Sequence, residues 1–342
     1  MEDVLPTKPN LPPDYLECAV GEPYVVRQAL LDNFDINYSL PKVDDLWNYP
    51  SPGGYAPLVK LLEDKYQAPV VMTNGAKQGL SACMYAISKL GYVKLAVKKP
   101  YWCLIPALAD LNGLKLHHEE VDEIGLPYLL VAPNNPDGFI PDNNQMQKIC
   151  EEITDDKWYN HRPIIADCAY YTPTYLPEGY SHRKIGDVQI YSSSKMLGLS
   201  SLRAGFCVCH TGKYYDLIKS YVDHMTVGVS MLSQTFLYEL LSTMNRSPLS
   251  TKGFETESFN ALKESKRIMK EVSSDVLEVP SDFENVGGMF AFLKLGPKAD
   301  FTKSKLNVSD GKLYGMPGYI RMNLAFDSNK MHEIVRRLNS VL

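Results

Sequence analysis

The sequence predicts an α/β protein: a domain built on a mostly parallel sheet sandwiched by helices, joined to a smaller α+β domain. Two observations carry this. From about residue 69 to 210, short apolar runs alternate with helical patterns, which is the signature of parallel strands joined by helical crossovers. After about residue 230 that alternation stops, and long helical stretches precede two isolated strand-like runs. The chain has 342 residues, 45% hydrophobic and 22% charged, enough for a sizeable core and two domains.

The strands of the first part read as fully buried runs: VKLAV (93–97), YLLVA (128–132), PIIAD (163–167), VQIYS (188–192) and AGFCVC (204–209). Between them, GAKQGLSACMYAISKL (75–90) reads as a helix stopped by Gly91, and NNQMQKICEEI (143–153) as a second. Tyr214, Leu217, Ile218, Tyr221 and Val222 follow at helical spacing. Beyond residue 230, SMLSQTFLYELLSTM and the stretch 254–272 read as helices. Phe254, Phe259, Leu262, Met269 and Val272 share one face of the latter. MFAFLKL (289–295) and YIRMNLAF (319–326) are strand-like. Met331, Ile334, Val335, Leu338 and Leu342 mark a terminal helix. The first 45 residues show few strong elements and are expected to pack on the smaller domain. The expected division is 45–235 for the large domain, with 1–44 and 236–342 forming the small one.

Composition narrows the function. A net charge of −5 without a basic block argues against nucleic acid as a partner. The acidic, proline-rich start lacks the basic and apolar regions of a signal peptide. No apolar run reaches the roughly 18 residues of a membrane span. The seven cysteines form no C-x-x-C pair, so reduced thiols and a cytoplasmic location are expected. His117-His118 reads as a strand end rather than a ligand pair, and no metal is expected. Nucleophile-elbow, P-loop and dinucleotide fingerprints are absent.

In a parallel sheet, ligands bind beyond the carboxyl ends of the strands. Unusual polar stretches fall at such ends: TNGAKQG (73–79), KPYWC (99–103), APNNPDG (132–138), ADCAYY (166–171) and SSSK (192–195). Each alone reads as a turn or helix start. Together, and with SSSKMLGLSSLRAGF (192–206), they resemble the fold type I pyridoxal-phosphate enzymes. The similarity is to the class I/II aminotransferases, with the histidinol-phosphate aminotransferase-like branch near in size. NNPDG and AYY also look like the branch of alliinases and plant tryptophan aminotransferases. The resemblance runs from GEP (21–23) to YIRMNLA (319–325).

That resemblance implies pyridoxal 5'-phosphate as cofactor and assigns roles. Lys195 resembles the lysine that forms the Schiff base with the cofactor aldehyde and later shuttles the substrate proton. Ser192, Ser194 and Arg203 resemble the phosphate ligands, together with Gly75, Ala76 and Lys77 at a helix start. Trp102 resembles the aromatic stacked on the pyridine ring, and Asp167 the carboxylate paired with its nitrogen. Asn135 and Tyr170 resemble the partners of O3′. Arg321 resembles the clamp for the substrate α-carboxylate, with Asn135 and Gly21, in a mobile loop, also near substrate. Tyr49, in YPSPGGYAPL, resembles the tyrosine that reaches the neighbouring subunit's phosphate, which implies a homodimer with shared sites. The chain departs from the pattern in three places: Asp137 stands where a threonine is usual, Leu58-Val59 where leucine-arginine is usual, and the N-terminal region is short and proline-rich.

The expected activity is transfer of an amino group between an α-amino acid and a 2-keto acid. Another fold type I chemistry, amino-acid decarboxylation or β/γ-elimination, is the alternative. A non-catalytic binding protein on the same scaffold is the third reading. Loops near 14–24, Tyr55 and partner residues are expected to set side-chain specificity.

Overall fold

The computed structural model describes residues 11–36, 48–118, 125–142, 144–145, 162–178 and 184–342. The expected helix at 143–153 and the expected domain boundary at 45 lie outside these, apart from Asn144 and Gln145. The chain opens with β1 (Leu16–Glu17) and a helix, Tyr24–Asn33. The larger part contains β2 (Val70–Thr73), β3 (Lys94–Val97), β4 (Lys115–His117), β5 (Tyr128–Val131), β6 (Ile164–Asp167), β7 (Val188–Ser192) and β8 (Gly205–Cys209).

These seven strands form one sheet in the order β2-β8-β7-β6-β5-β3-β4. β8 runs antiparallel to both neighbours, and the other pairings are parallel. β2, β5, β6, β7 and β8 are buried along their whole length, which is why they read as continuous apolar runs. The helices Gly75–Lys89 and Gly212–Thr226 pack together and against the sheet. Ile87, Leu95, Ile190, Cys207 and Ile218 lie in the apolar layer between.

The later part holds β9 (Leu277–Glu278), β10 (Phe290–Leu295), β11 (Leu306–Asn307), β12 (Ser309–Asp310) and β13 (Tyr319–Asn323). A four-stranded antiparallel sheet runs β12-β13-β10-β9. The helices Pro248–Met269 and Ser328–Asn339 pack against each other beside it. Asp327 caps the terminal helix by accepting from the Lys330 N–H at 3.0 Å.

Two features depart from the sequence reading. The N-terminal segment carries a regular helix, Tyr24–Asn33, with Val25, Val26, Ala29 and Leu30 buried. Its apolar residues meet the helix Pro248–Met269. β1 also pairs in parallel with β11, Leu16 opposite Leu306. The start of the chain is thus stitched into the C-terminal part. The short helices Ala56–Tyr66 and Ile105–Leu111, each with proline in its first turn, were likewise not read from the pattern. Among the described residues, no helix is long and apolar enough to cross a membrane.

Candidate active site

β2, β3, β5, β6 and β7 all end at the same edge of the sheet, and β8 begins there. A cavity of about 470 Å³ lies beyond that edge, closed on the far side by β10, β13 and the loop before the first helix. All the residues given a cofactor, catalytic or carboxylate-binding role from the sequence line it, except Gly75 and Tyr49.

One end of the cavity is built for an anion. The helix Gly75–Lys89 starts there, and Asn74 makes no side-chain cap to its N–H groups. Gly75 has φ +76°, and a Cβ on it would stand 2.8 Å from Arg203 Nη2. Arg203 donates from Nη1 to Ser194 Oγ at 3.3 Å and to the Ser200 carbonyl at 2.9 Å. Its Nη2 donates to the Asn74 carbonyl at 3.2 Å. Ser192 Oγ accepts from the Ser194 N–H at 3.2 Å and so starts the helical turn Ser193–Met196 that carries Lys195. A guanidinium, a helix start and two hydroxyls converge with no carboxylate bonded to Arg203 among the described residues.

Asp167 ends β6 and is buried, 8% exposed. Its Oδ1 accepts from the Ala169 N–H at 3.0 Å, and no cation pairs with it among the described residues. Burial pushes its carboxyl up to about 6. Lys195 Nζ donates to the Gly21 carbonyl. Burial lowers its amine to about 8; Glu22 acts in the opposite direction, and Arg321 and Arg203 add to the lowering.

Arg321, on β13, is 8% exposed and lies 4.2 Å from the Phe290 ring centroid and 5.0 Å from that of Tyr314. Nη1 donates to Asn135 Oδ1 at 3.0 Å and Nη2 to the Ala19 carbonyl at 2.7 Å. Its buried Nε–H has no partner among the described residues. Tyr170 packs edge-on to Tyr175 at 5.4 Å and Phe290 at 5.9 Å, and burial raises its phenol. Trp102 lies at the cavity wall with Lys77 Nζ 5.7 Å from its ring centroid. Ala76 lines the cavity beside Lys77.

The structure does not bring Tyr49 to this cavity; it is 87% exposed. Tyr55 does not line it either; its backbone N–H donates to Gln234 Oε1 at 2.6 Å, and its ring packs edge-on to Tyr238. Asp137, at the departure from the usual threonine, serves its own loop: it accepts from Asn134 Nδ2 at 2.7 Å and the Phe139 N–H at 3.0 Å. Of the lining residues not singled out from the sequence, three are polar or aromatic: Glu22, Ser200 and Phe290. Glu22 and Ser200 sit inside the GEP and SSLRAG stretches that were read, so proximity to Gly21 and Lys195 was the available signal. Phe290 had none.

The family model described as Allinase matches residues 61–280, well over half of the chain. The chain belongs to the alliinase family. Tryptophan aminotransferase-related protein 2 of Arabidopsis thaliana is 27% identical over 60% of this alliinase-family chain and 46% of its own length. A probable aspartate/prephenate aminotransferase of Aquifex aeolicus is 23% identical over 80% of this chain and 75% of its own. The matched region thus spans about half of the plant relative. Among solved structures, a Thermus thermophilus aspartate aminotransferase double mutant superposes with a TM-score of 0.76 at 16% identity, covering 96% of this chain and 92% of that one. An aromatic aminotransferase from Pyrococcus horikoshii gives 0.75 at 15% identity, covering 96% of each. The fold is therefore that of these aminotransferases, with the mostly parallel central sheet the sequence predicted.

Proposed function

We propose that this chain is a pyridoxal-phosphate-dependent aminotransferase that moves an amino group between an α-amino acid and a 2-keto acid, with Lys195 as the Schiff-base anchor of the cofactor. One observation carries the reading: Lys195, its amine lowered to about 8, shares a cavity with a buried Asp167 that has no cationic partner among the described residues. A buried carboxylate without a cation is costly unless a ligand supplies one. A protonated pyridine nitrogen is such a cation. The uncapped helix start, Arg203, Ser192 and Ser194 suit a phosphate dianion at the other end. Both ends of the cavity therefore fit pyridoxal phosphate, and aminotransferase relatives support the same cofactor.

The bound cofactor would supply an electron sink for the charge left on the substrate Cα. The chain's own residues would do the rest. Trp102 would flank the ring, and Asn135 and Tyr170 would face its phenolic oxygen. Arg321, with a spare buried Nε–H, would hold the substrate α-carboxylate. A carboxylate held in that fork is retained, which favours Cα–H cleavage over loss of carbon dioxide. Lys195 would take that proton and return it at the other end of the exchange. Gly21 would sit beside the substrate on the loop before the first helix.

The reading extends to assembly and place. Tyr49, exposed and outside its own cavity, would reach a neighbour's phosphate in a homodimer. The described cysteines are free thiols, which supports a reducing compartment such as the cytoplasm. The division at 45–235 against 1–44 with 236–342 belongs to the same reading, as do amino-acid and keto-acid partners.

The test follows the visible band of the cofactor-loaded protein as amino acids are added singly. Bleaching by a donor, and recovery on adding a keto acid, is the expected result. A band that persists while an amine or an eliminated fragment accumulates would replace transamination with a lyase. No band in the parent, or an equal band in Lys195→Ala, would remove the cofactor assignment.

A further inference from the structure

The cavity contains one carboxylate that the proposed chemistry leaves without a role. Glu22 lines it, on the loop between β1 and the helix Tyr24–Asn33. The loop is fastened to the lysine's surroundings at several points. Ser200 Oγ donates to Glu22 Oε2 at 3.0 Å, and Ser200 lies five residues beyond Lys195. Asn323 Nδ2, at the end of β13, donates to the Glu22 carbonyl at 2.9 Å. The Gly21 carbonyl accepts from Lys195 Nζ, and the Ala19 carbonyl accepts from Arg321 Nη2 at 2.7 Å. On the other side, Tyr175 donates its hydroxyl to the Lys195 carbonyl at 2.9 Å.

The charges around Lys195 are unbalanced. Arg321 and Arg203 both disfavour a protonated amine there, as does burial. Lys77 lines the same cavity, and Tyr170 and Asp167 close its floor. Glu22 is the described anion that acts on the amine in the opposite sense. A group that must accept a proton from one carbon and deliver it to another works best when its two forms are close in free energy. Two guanidiniums and burial would otherwise leave the amine too weak a base.

We infer that Glu22 is a positioning residue for Lys195: its carboxylate, held in the same cavity by Ser200, sets how readily the lysine amine keeps a proton, while the adjoining Gly21 carbonyl sets where that amine rests. This deepens the proposed function and rests on its assignment of Lys195. The Gly21 and Ala19 carbonyls also couple the loop to the site, since one short segment contacts both Lys195 and Arg321.

The test uses the cofactor-free protein, so it stands apart from the cofactor assignment. Trace acetylation with acetic anhydride, read at the Lys195 peptide by mass spectrometry over about pH 6 to 10, gives the protonation midpoint of that amine. The parent should titrate near 8. Glu22→Gln should lower the midpoint by about one unit, the size of shift a nearby opposite charge produces, and Glu22→Asp should restore part of it. Ser200→Ala, which frees the carboxylate without removing it, should shift the midpoint the same way by less. Midpoints in Glu22→Gln and Ser200→Ala equal to the parent's, with unchanged thermal unfolding, would overturn the proposal. So would a parent Lys195 that titrates like an ordinary lysine. If Glu22→Gln fails to fold, the Ser200→Ala midpoint decides alone.

Discussion

Asp167 and Lys266 show how buried charge divides between chemistry and cost. Asp167 is held at about 6 by burial against an ordinary 3.8. The folded, cofactor-free chain therefore binds a proton that the unfolded chain releases between those values. Its contribution is fully present below 3.8 and is lost as the pH rises through about 6. Asp167→Asn removes that loss. The cofactor-free variant should melt above the parent at neutral pH, and the two should converge below 3.8. The loaded variant should lose about 10²-fold or more in kcat, since the neutral amide cannot hold the pyridine nitrogen protonated. A variant that melts no higher than the parent at neutral pH would refute the strain; one that keeps its turnover would refute the role.

Lys266 carries the opposite sign. It is 4% exposed on the helix Pro248–Met269, with its amine donated to the Val286 carbonyl. Burial lowers it from 10.5 to about 7. The unfolded chain holds that proton between those values and the folded chain does not. Stability is fully present above 10.5 and falls as the pH drops towards 7, by up to about 1.4 kcal/mol per unit. Lys195 adds a slope of the same sign above 8. Lys266→Met should flatten the rise without abolishing it, as read from urea midpoints at several pH values. An unchanged slope would mean the amine is not buried as described.

Among the elements, the start of the helix Gly75–Lys89 has the narrowest tolerance. Gly75 adopts a left-handed φ that costs other residues about 1–2 kcal/mol, and its missing Cβ makes room for the Arg203 guanidinium. Gly75→Ala should push that guanidinium out of line. Affinity for pyridoxal phosphate should fall about tenfold, while affinity for pyridoxal, which lacks the phosphate, should change little. Quenching of Trp102 fluorescence measures both, and equal losses would move the phosphate elsewhere. This site was legible because parallel strands deliver their carboxyl ends to one edge, so local motifs at 73–79, 132–138, 166–171 and 192–195 had to meet. Buried strands announce themselves as apolar runs for the same reason. What the local pattern could not carry is long-range. Phe290 packs on Gly21, where a Cβ would come within 2.7 Å of the ring, although 269 positions separate them in the chain. β1 is two residues long and exists only because β11 pairs with it. The helix Tyr24–Asn33 is weakly amphipathic and is held by the helix Pro248–Met269.

At the scale of the whole molecule, the proposed homodimer is tested at Tyr49. Tyr49 is 87% exposed, and Met225, Val227 and Leu232 are also exposed. The two segments adjoin: a Cβ on Gly228 would meet Pro50 Cγ at 2.9 Å and the Ser51 carbonyl at 3.1 Å. Exposed apolar side chains on adjoining segments are what an interface between copies would bury. If two copies bury it around a two-fold axis, each Tyr49 is carried towards its neighbour's cavity, and both sites need both chains. Tyr49→Ala and Lys195→Ala should then each be nearly inactive alone, for different reasons. Mixed, unfolded and refolded together, they should recover about a quarter of the parent activity. Half of the randomly formed dimers are mixed, and in each of those one of the two sites combines an intact Lys195 with an intact Tyr49. A mixture no better than the mean of the two variants, in protein that light scattering shows to be dimeric, would mean that each chain completes its own site and that Tyr49 serves only the interface.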